Sequence, residues 1–168
     1  MTNKNGGTFE ETGEQLGFDE TKNYSAPVLA KLVPNTVAKR VIGVSVTTDR
    51  ETYTLGEPIT IQIKFKNRLP VPVKVPTPRN RRWGWKADEY LEATNEKRYV
   101  RKTPSTFDFR ARERKTIVRS WDGRIHRPQK HGPDRFEPVE RGDHSITAFL
   151  ATGDDDSCPS AETTIRIT

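Results

Sequence analysis

From Ile59 to Lys66 apolar and polar residues alternate without a break: Ile59, Ile61, Ile63 and Phe65 against Thr60, Gln62, Lys64 and Lys66. A period of two carried by β-branched and aromatic side chains predicts a strand with one buried and one wet face. Asn67 and Arg68 turn the chain, and Leu69, Val71, Val73 and Val75 repeat the alternation. Pro70 and Pro72 fall between those positions. A proline cannot donate to a ladder, so this second strand is expected at an edge or poorly paired.

The same period recurs along the chain. Ile42, Val44 and Val46 form one inward set, and His144, Ile146, Ala148 and Leu150 another. Shorter alternations run through Phe107 and Phe109, through Ile117 and Arg119 against Thr116 and Val118, and through Thr163, Ile165 and Ile167. Trp83 and Trp85, two apart, share a strand face and are expected to plug the core. Gly56 suits a bend that needs a positive φ, and Asp122-Gly123 a tight turn. Glu89–Ala93 reads as one helical turn, and Arg124–Pro138 as a long, basic, proline-containing loop. Seven or eight short strands with no long helix describe an all-β antiparallel sandwich.

Residues 1–40 lack the alternation and are read as an irregular N-terminal arm, flexible or docked on a partner, ahead of a domain over residues 41–168. Phe9, Leu16 and Phe18 are the only sizeable apolar residues before Asn23. Ser25 as N-cap with Pro27 in the first turn opens a short helix that Pro34 ends. An arm extended across a neighbouring subunit would use the same residues.

Composition sharpens this picture. Only 32% of the 168 residues are hydrophobic and 31% are charged, with 12 prolines and 11 glycines, which is too polar for the whole chain to be packed core. One cysteine, Cys158, rules out an internal disulfide framework. No apolar run reaches the ~20 residues a membrane helix needs, and Met1–Gly17 has no hydrophobic signal region. A cytoplasmic protein without membrane insertion, or a component of an assembled particle, is expected. The formal charge of +6 is concentrated: residues 76–135 hold 17 bases and 8 acids, whereas residues 136–168 are net acidic. That distribution predicts a local basic patch.

Several motifs, taken in order, resemble known families. Tyr53-x-x-Gly56-Glu57-x-Ile59-x-Ile61-x-Ile63, up to Asn67, is similar to the opening strands of many immunoglobulin-like modules. Trp83-x-Trp85-x-x-Asp88-x-Tyr90, Trp121-Asp122-Gly123 and Gly142-x-His144-x-Ile146-x-Ala148 resemble, in that order, the BsuPI-type intracellular proteinase inhibitor domain. The likeness runs from about Val44 to Thr152. It implies an immunoglobulin-like antiparallel β-sandwich that binds a protein, serine proteases included, and performs no catalysis. His144 stands where that family usually carries a tyrosine, and the Arg124–Pro138 loop is long for it.

Candidate chemistry is sparse. Cys158 has no activating neighbour in sequence, and His126 and His131 supply only two metal ligands. Asp154–Asp156 lacks the spacing of a calcium loop. No catalytic residue, metal site or cofactor is therefore expected. The candidate binding residues are Arg79, Arg81, Arg82, Trp83, Trp85 and Lys86, where bases interleave with aromatics. Such a run suits phosphate neutralisation with base stacking, and its ordinary alternative is a solvated basic face. The expected function is a non-enzymatic protein-binding module. The alternatives are a structural component whose arm contacts a neighbouring subunit and a nucleic-acid binder.

Overall fold

A computed structural model describes residues 33–91, 102–127, 135–153 and 158–168, the side chains of His126, Arg127 and Arg135 excepted. The expected Ser25 helix, Phe9, Leu16, Phe18, His131 and Asp154–Asp156 lie outside the described residues.

The described chain starts with a helix, α1 (Asn35–Arg40), where the sequence suggested that Pro34 would end one. Pro34 is its N-cap, and the Pro34 carbonyl accepts from the amides of Val37 and Ala38 at 2.9 and 2.8 Å. A missing N–H does no harm at that position, because a helix start needs a carbonyl there. The helix buries Ala38 in the core and packs on β4 (Val73–Thr77).

Two layers enclose the core. The first is built from β1 (Ile42–Thr48), β3 (Ile59–Asn67) and β8 (Arg114–Trp121), in the order β1-β3-β8. The second has the order β2-β12-β11-β5-β6. Its members are β2 (Thr52–Tyr53), β5 (Trp83–Ala87), β6 (Tyr90–Leu91), β11 (Gly142–Leu150) and β12 (Ser160–Ile167). All pairs are antiparallel except β2 with β12. Ile59, Ile61, Ile63 and Phe65 are all fully buried between the layers. The expected period is thus the period that closes the core, and the fold is an all-β, immunoglobulin-like antiparallel sandwich.

The chain changes layers at Asp49–Glu51. The Asp49 carboxylate accepts from the Tyr53 hydroxyl at 2.6 Å and the Thr60 amide at 3.0 Å, which fixes the crossing. Beyond it, β2 runs parallel to the last strand, with Arg166 opposite Thr52 and Ile167 opposite Tyr53. On β5 the buried Trp85 meets Trp121 edge-on, ring centroids 5.9 Å apart. The Trp121 indole N–H donates to the Arg124 carbonyl at 2.8 Å.

The second alternation is interrupted. Instead of a strand from Leu69, the chain forms an irregular corner over residues 68–72, and β4 pairs only with β7 (Ser105–Phe109). The β3/β8 ladder ends at Lys66 opposite Arg114 and resumes with Val73 opposite Phe109, so one ribbon carries a corner on both strands. Pro70 and Pro72 forbid regular pairing there, and fully buried Asn67 supplies what the backbone lacks. Its amide group donates to the carbonyls of Val71 and Arg110, both at 2.8 Å, and its oxygen accepts from the Leu69 amide at 2.9 Å.

Two other expectations are corrected. Asp88, with φ of 50°, reverses the chain tightly, so Tyr90–Leu91 pairs with Lys86–Ala87 as a hairpin where a helical turn over Glu89–Ala93 was expected; Glu92 and Ala93 lie outside the described residues. Within the Arg124–Pro138 segment, expected to be a loop, β9 (Arg124–Arg127) pairs with β10 (Arg135–Pro138), and residues 128–134 lie outside the described residues.

Candidate functional site

Alternation on β5 divides the basic–aromatic run between the two faces of its sheet. Trp85 points inward and is buried, and Trp83 is partly buried beside Phe65, with the Arg119 guanidinium 5.1 Å from its ring centroid. Lys86 points outward and lies beside Phe149 of β11, its Nζ 5.5 Å from the ring centroid. Phe149, which the sequence reading did not single out, therefore supplies the aromatic surface of the outer face. Its register partner is Gly84, and a Cβ there would lie 2.6 Å from the Phe149 ring. That glycine is the local signal: only a residue without a side chain lets the ring come this close to β5.

The loop after β4 brings Arg79 and Arg81 to the same face. It is anchored where the Thr77 hydroxyl donates to the Arg79 carbonyl at 2.8 Å and where the Ala151 amide donates to the Arg82 carbonyl at 3.1 Å. Gly153, at φ 89°, lets the opposing loop approach; a Cβ there would lie 2.8 Å from Pro78. Cys158 closes the far wall, its thiol donating to the Leu150 carbonyl.

The result is a groove made of two adjoining hollows of about 510 and 320 Å³, which share Arg81, Phe149 and Cys158. Arg79 lies at one end and Lys86 with half-exposed Leu91 at the other. The described lining carries three cations, an aromatic face and an apolar rim, with no carboxylate and no histidine. No described carboxylate forms an ion pair with Arg79 or Lys86. Of the six candidate residues, the structure thus gathers Arg79, Arg81 and Lys86, leaves Arg82 exposed outside the lining, and turns Trp83 and Trp85 into the sandwich.

A second polar cluster sits at the opposite end of β11. His144 Nδ1 is 2.8 Å from the Asp88 carboxylate and Nε2 is 2.7 Å from the Glu140 carbonyl. Both neighbours are acceptors, so the geometry is satisfied by the doubly protonated ring. Burial opposes the charge, but Asp88 and the Glu140 carbonyl outweigh it and raise the His144 pKa above the ordinary histidine value. The Nε2–Glu140 contact, reaching four residues back, does the work of the tyrosine corner of immunoglobulin-like domains. Among the described residues no group of three His, Cys, Asp or Glu side chains is placed to hold a metal ion. No helix among them is long and apolar enough to cross a membrane.

No curated protein matches the chain. Among solved structures, it is similar to the CARDB domain of the PF1109 protein from Pyrococcus furiosus, crystallised in complex with di-metal ions. There the identity is 11%, the TM-score is 0.43, and 75% of this chain and 91% of that one are covered. It is also similar to a β-glucosidase from Listeria innocua (12% identity, TM-score 0.42, 76% of this chain and 16% of that one). A β-glucosidase from Erythrobacter marinus gives 12% identity, a TM-score of 0.44, and coverage of 76% and 15%. The fold assignment rests on the sheet order and register described above. The family model of DUF7974, a family of unknown function, matches residues 30–168, and the chain belongs to that family.

Proposed function

We propose that this chain is a non-enzymatic binding module that holds an acidic, aromatic-containing segment of a protein partner in the Arg79–Arg81–Lys86–Phe149 groove. The observation that carries the reading is the concentration of cations and one flat aromatic ring on the outer face of a rigid five-stranded sheet. Carboxylates of an extended peptide meet the cations, and an aromatic side chain stacks on Phe149 and on the Lys86–Phe149 pair. Inhibition of a serine protease, as the BsuPI-type resemblance implies, is one form this binding takes; loss of protease activity on titration with the chain tests it. Nucleic acid fits less well, because with Trp83 and Trp85 turned inward Phe149 is the one aromatic among the described lining residues, and these offer successive bases no platform.

The test is titration of the full chain with a fluorescein-labelled acidic peptide containing phenylalanine, against the same peptide with its acids amidated. Binding to the first that weakens with salt and is lost in Arg79→Glu/Lys86→Glu supports the reading. Equal binding to both peptides, or binding untouched by the double substitution, overturns it.

A further inference from the structure

β8 closes one side of the first layer, and among the described residues no strand pairs with its outer edge. Thr60 of β3 lies opposite Ser120. Its amide donates to the Asp49 carboxylate at 3.0 Å and its carbonyl accepts from the Asp49 amide at 3.2 Å, both on the β1 side. Thr60 and Ser120 therefore exchange no ladder bonds, and the backbone groups of Ser120 face away from β3. By alternation those of Thr116 and Val118 do the same. The Val118 carbonyl accordingly accepts from a side chain, the guanidinium of Arg119, at 2.9 Å. Arg114, Thr116, Val118 and Ser120 are all exposed, and Val118, at 52%, is the most exposed large apolar residue described.

We infer that two copies of this chain associate through this edge, β8 pairing antiparallel with β8 of the second copy about a two-fold axis at Val118. The sequence around Val118 is complementary to itself. In that register Val118 meets its own counterpart, Thr116 meets Ser120, and Arg114 meets Asp122, which is exposed one residue past the strand. Each facing pair among Thr116, Val118 and Ser120 exchanges two main-chain bonds, and the Val118 amide of the second copy replaces the Arg119 guanidinium. No described carboxylate forms an ion pair with Arg114 inside the chain. One Asp122 oxygen accepts from the Arg124 amide at 3.1 Å, which leaves the other for that arginine. On the inner face Ile117 meets Arg119, and Lys115 meets Trp121. Sliding the register by two residues, the smallest step that keeps the faces aligned, sets Lys115 against Arg119 in one direction and Arg119 against its counterpart in the other. Like charges directly opposite destabilise a ladder, so one register is selected. The contact uses the same patch on both copies and closes at two. It takes no residue from the groove, which belongs to the other layer.

The experiment is sedimentation equilibrium over a range of concentrations on the full chain, on Arg114→Glu and on Asp122→Lys. The parent should show a monomer–dimer equilibrium. In either variant alone, like charges face each other at both ends of the strand pair, and dimerisation should weaken about tenfold or more. An equimolar mixture of the two variants restores an opposite-charge pair at each end and should dimerise as the parent does. That recovery also shows that both variants fold. Amide hydrogen exchange needs no variant: protection at Thr116, Val118 and Ser120 should rise with the concentration of the parent, while Ile117 and Arg119, already bonded to β3, should not change. A parent that stays monomeric throughout, as it would if the strand of a different protein fills this edge, overturns the inference. So do single variants that dimerise like the parent, a mixture no stronger than either variant alone, and protection at the three outward amides that ignores concentration.

Discussion

Replacing Asn67 should uncouple the corner of the β3–β4 and β7–β8 ribbon from the core. The side chain is fully buried, donates to the Val71 and Arg110 carbonyls, and accepts from the Leu69 amide. Asn67→Ala leaves three backbone groups without their partner in a region that Pro70 and Pro72 prevent from rearranging into a regular ladder. At a net of about 1 kcal/mol per lost hydrogen bond, and more for any group that water cannot reach, the expected loss is roughly 3–4 kcal/mol. Asn67→Asp keeps the shape and the acceptor for Leu69 but sets oxygen against both carbonyls, so it should be no better than alanine. Urea unfolding followed by tryptophan fluorescence measures the difference. With a slope of about 1.5 kcal/mol per molar, the midpoint should fall by about 2 M in both variants. Exposed Lys66→Ala, one residue away, should stay within about 0.5 kcal/mol of the parent. If both Asn67 variants also stay within about 1 kcal/mol, the corner is held by the packing of Val73 and Val75, and the argument from hydrogen bonds is wrong.

Three further outcomes follow from the geometry. The raised pKa of His144 means that its contribution to stability is complete below the ordinary value of 6.5 and is lost as pH rises through the folded value. The unfolding midpoint should therefore decline above that point, and His144→Phe should flatten the decline; a parent profile unaffected by the substitution would refute the double acceptor contact as its source. Gly84→Ala places a Cβ against Phe149, so the ring must swing away, lowering stability by about 1 kcal/mol and abolishing acidic-peptide binding in the fluorescence titration. Trp121→Phe removes the donor to the Arg124 carbonyl and opens space beside Trp85, with an expected loss of roughly 2–3 kcal/mol in the same urea assay.

The layers were legible in the sequence wherever the period of two met solvent on one side, as on β3, β11 and β12. The alternation failed as a guide where backbone chemistry prevails over side-chain pattern. Leu69 and Val71 continue the period, yet two prolines and a buried asparagine make a corner there. Pro34, read as the end of a helix that lies outside the described residues, is the N-cap of α1. The groove was half visible. Arg79, Arg81 and Lys86 could be named, but interleaving in sequence places neighbours on opposite faces of a strand, so the tryptophans among them went to the core. Their replacement, Phe149, lies far along the chain and comes into contact only through the register of β5 with β11. Strand register is a long-range property, and Gly84 was its one local trace.

The parallel pairing of β2 with β12 decides how the body answers a pull. Tension entering through the residues before β1 and leaving after Ile167 draws these two strands along their length in opposite directions. The bonds from Arg166 to Glu51, Leu55 to Thr168 and Thr168 to Tyr53 then bear the load together instead of opening one at a time. A body stitched in this way should yield abruptly and at high force.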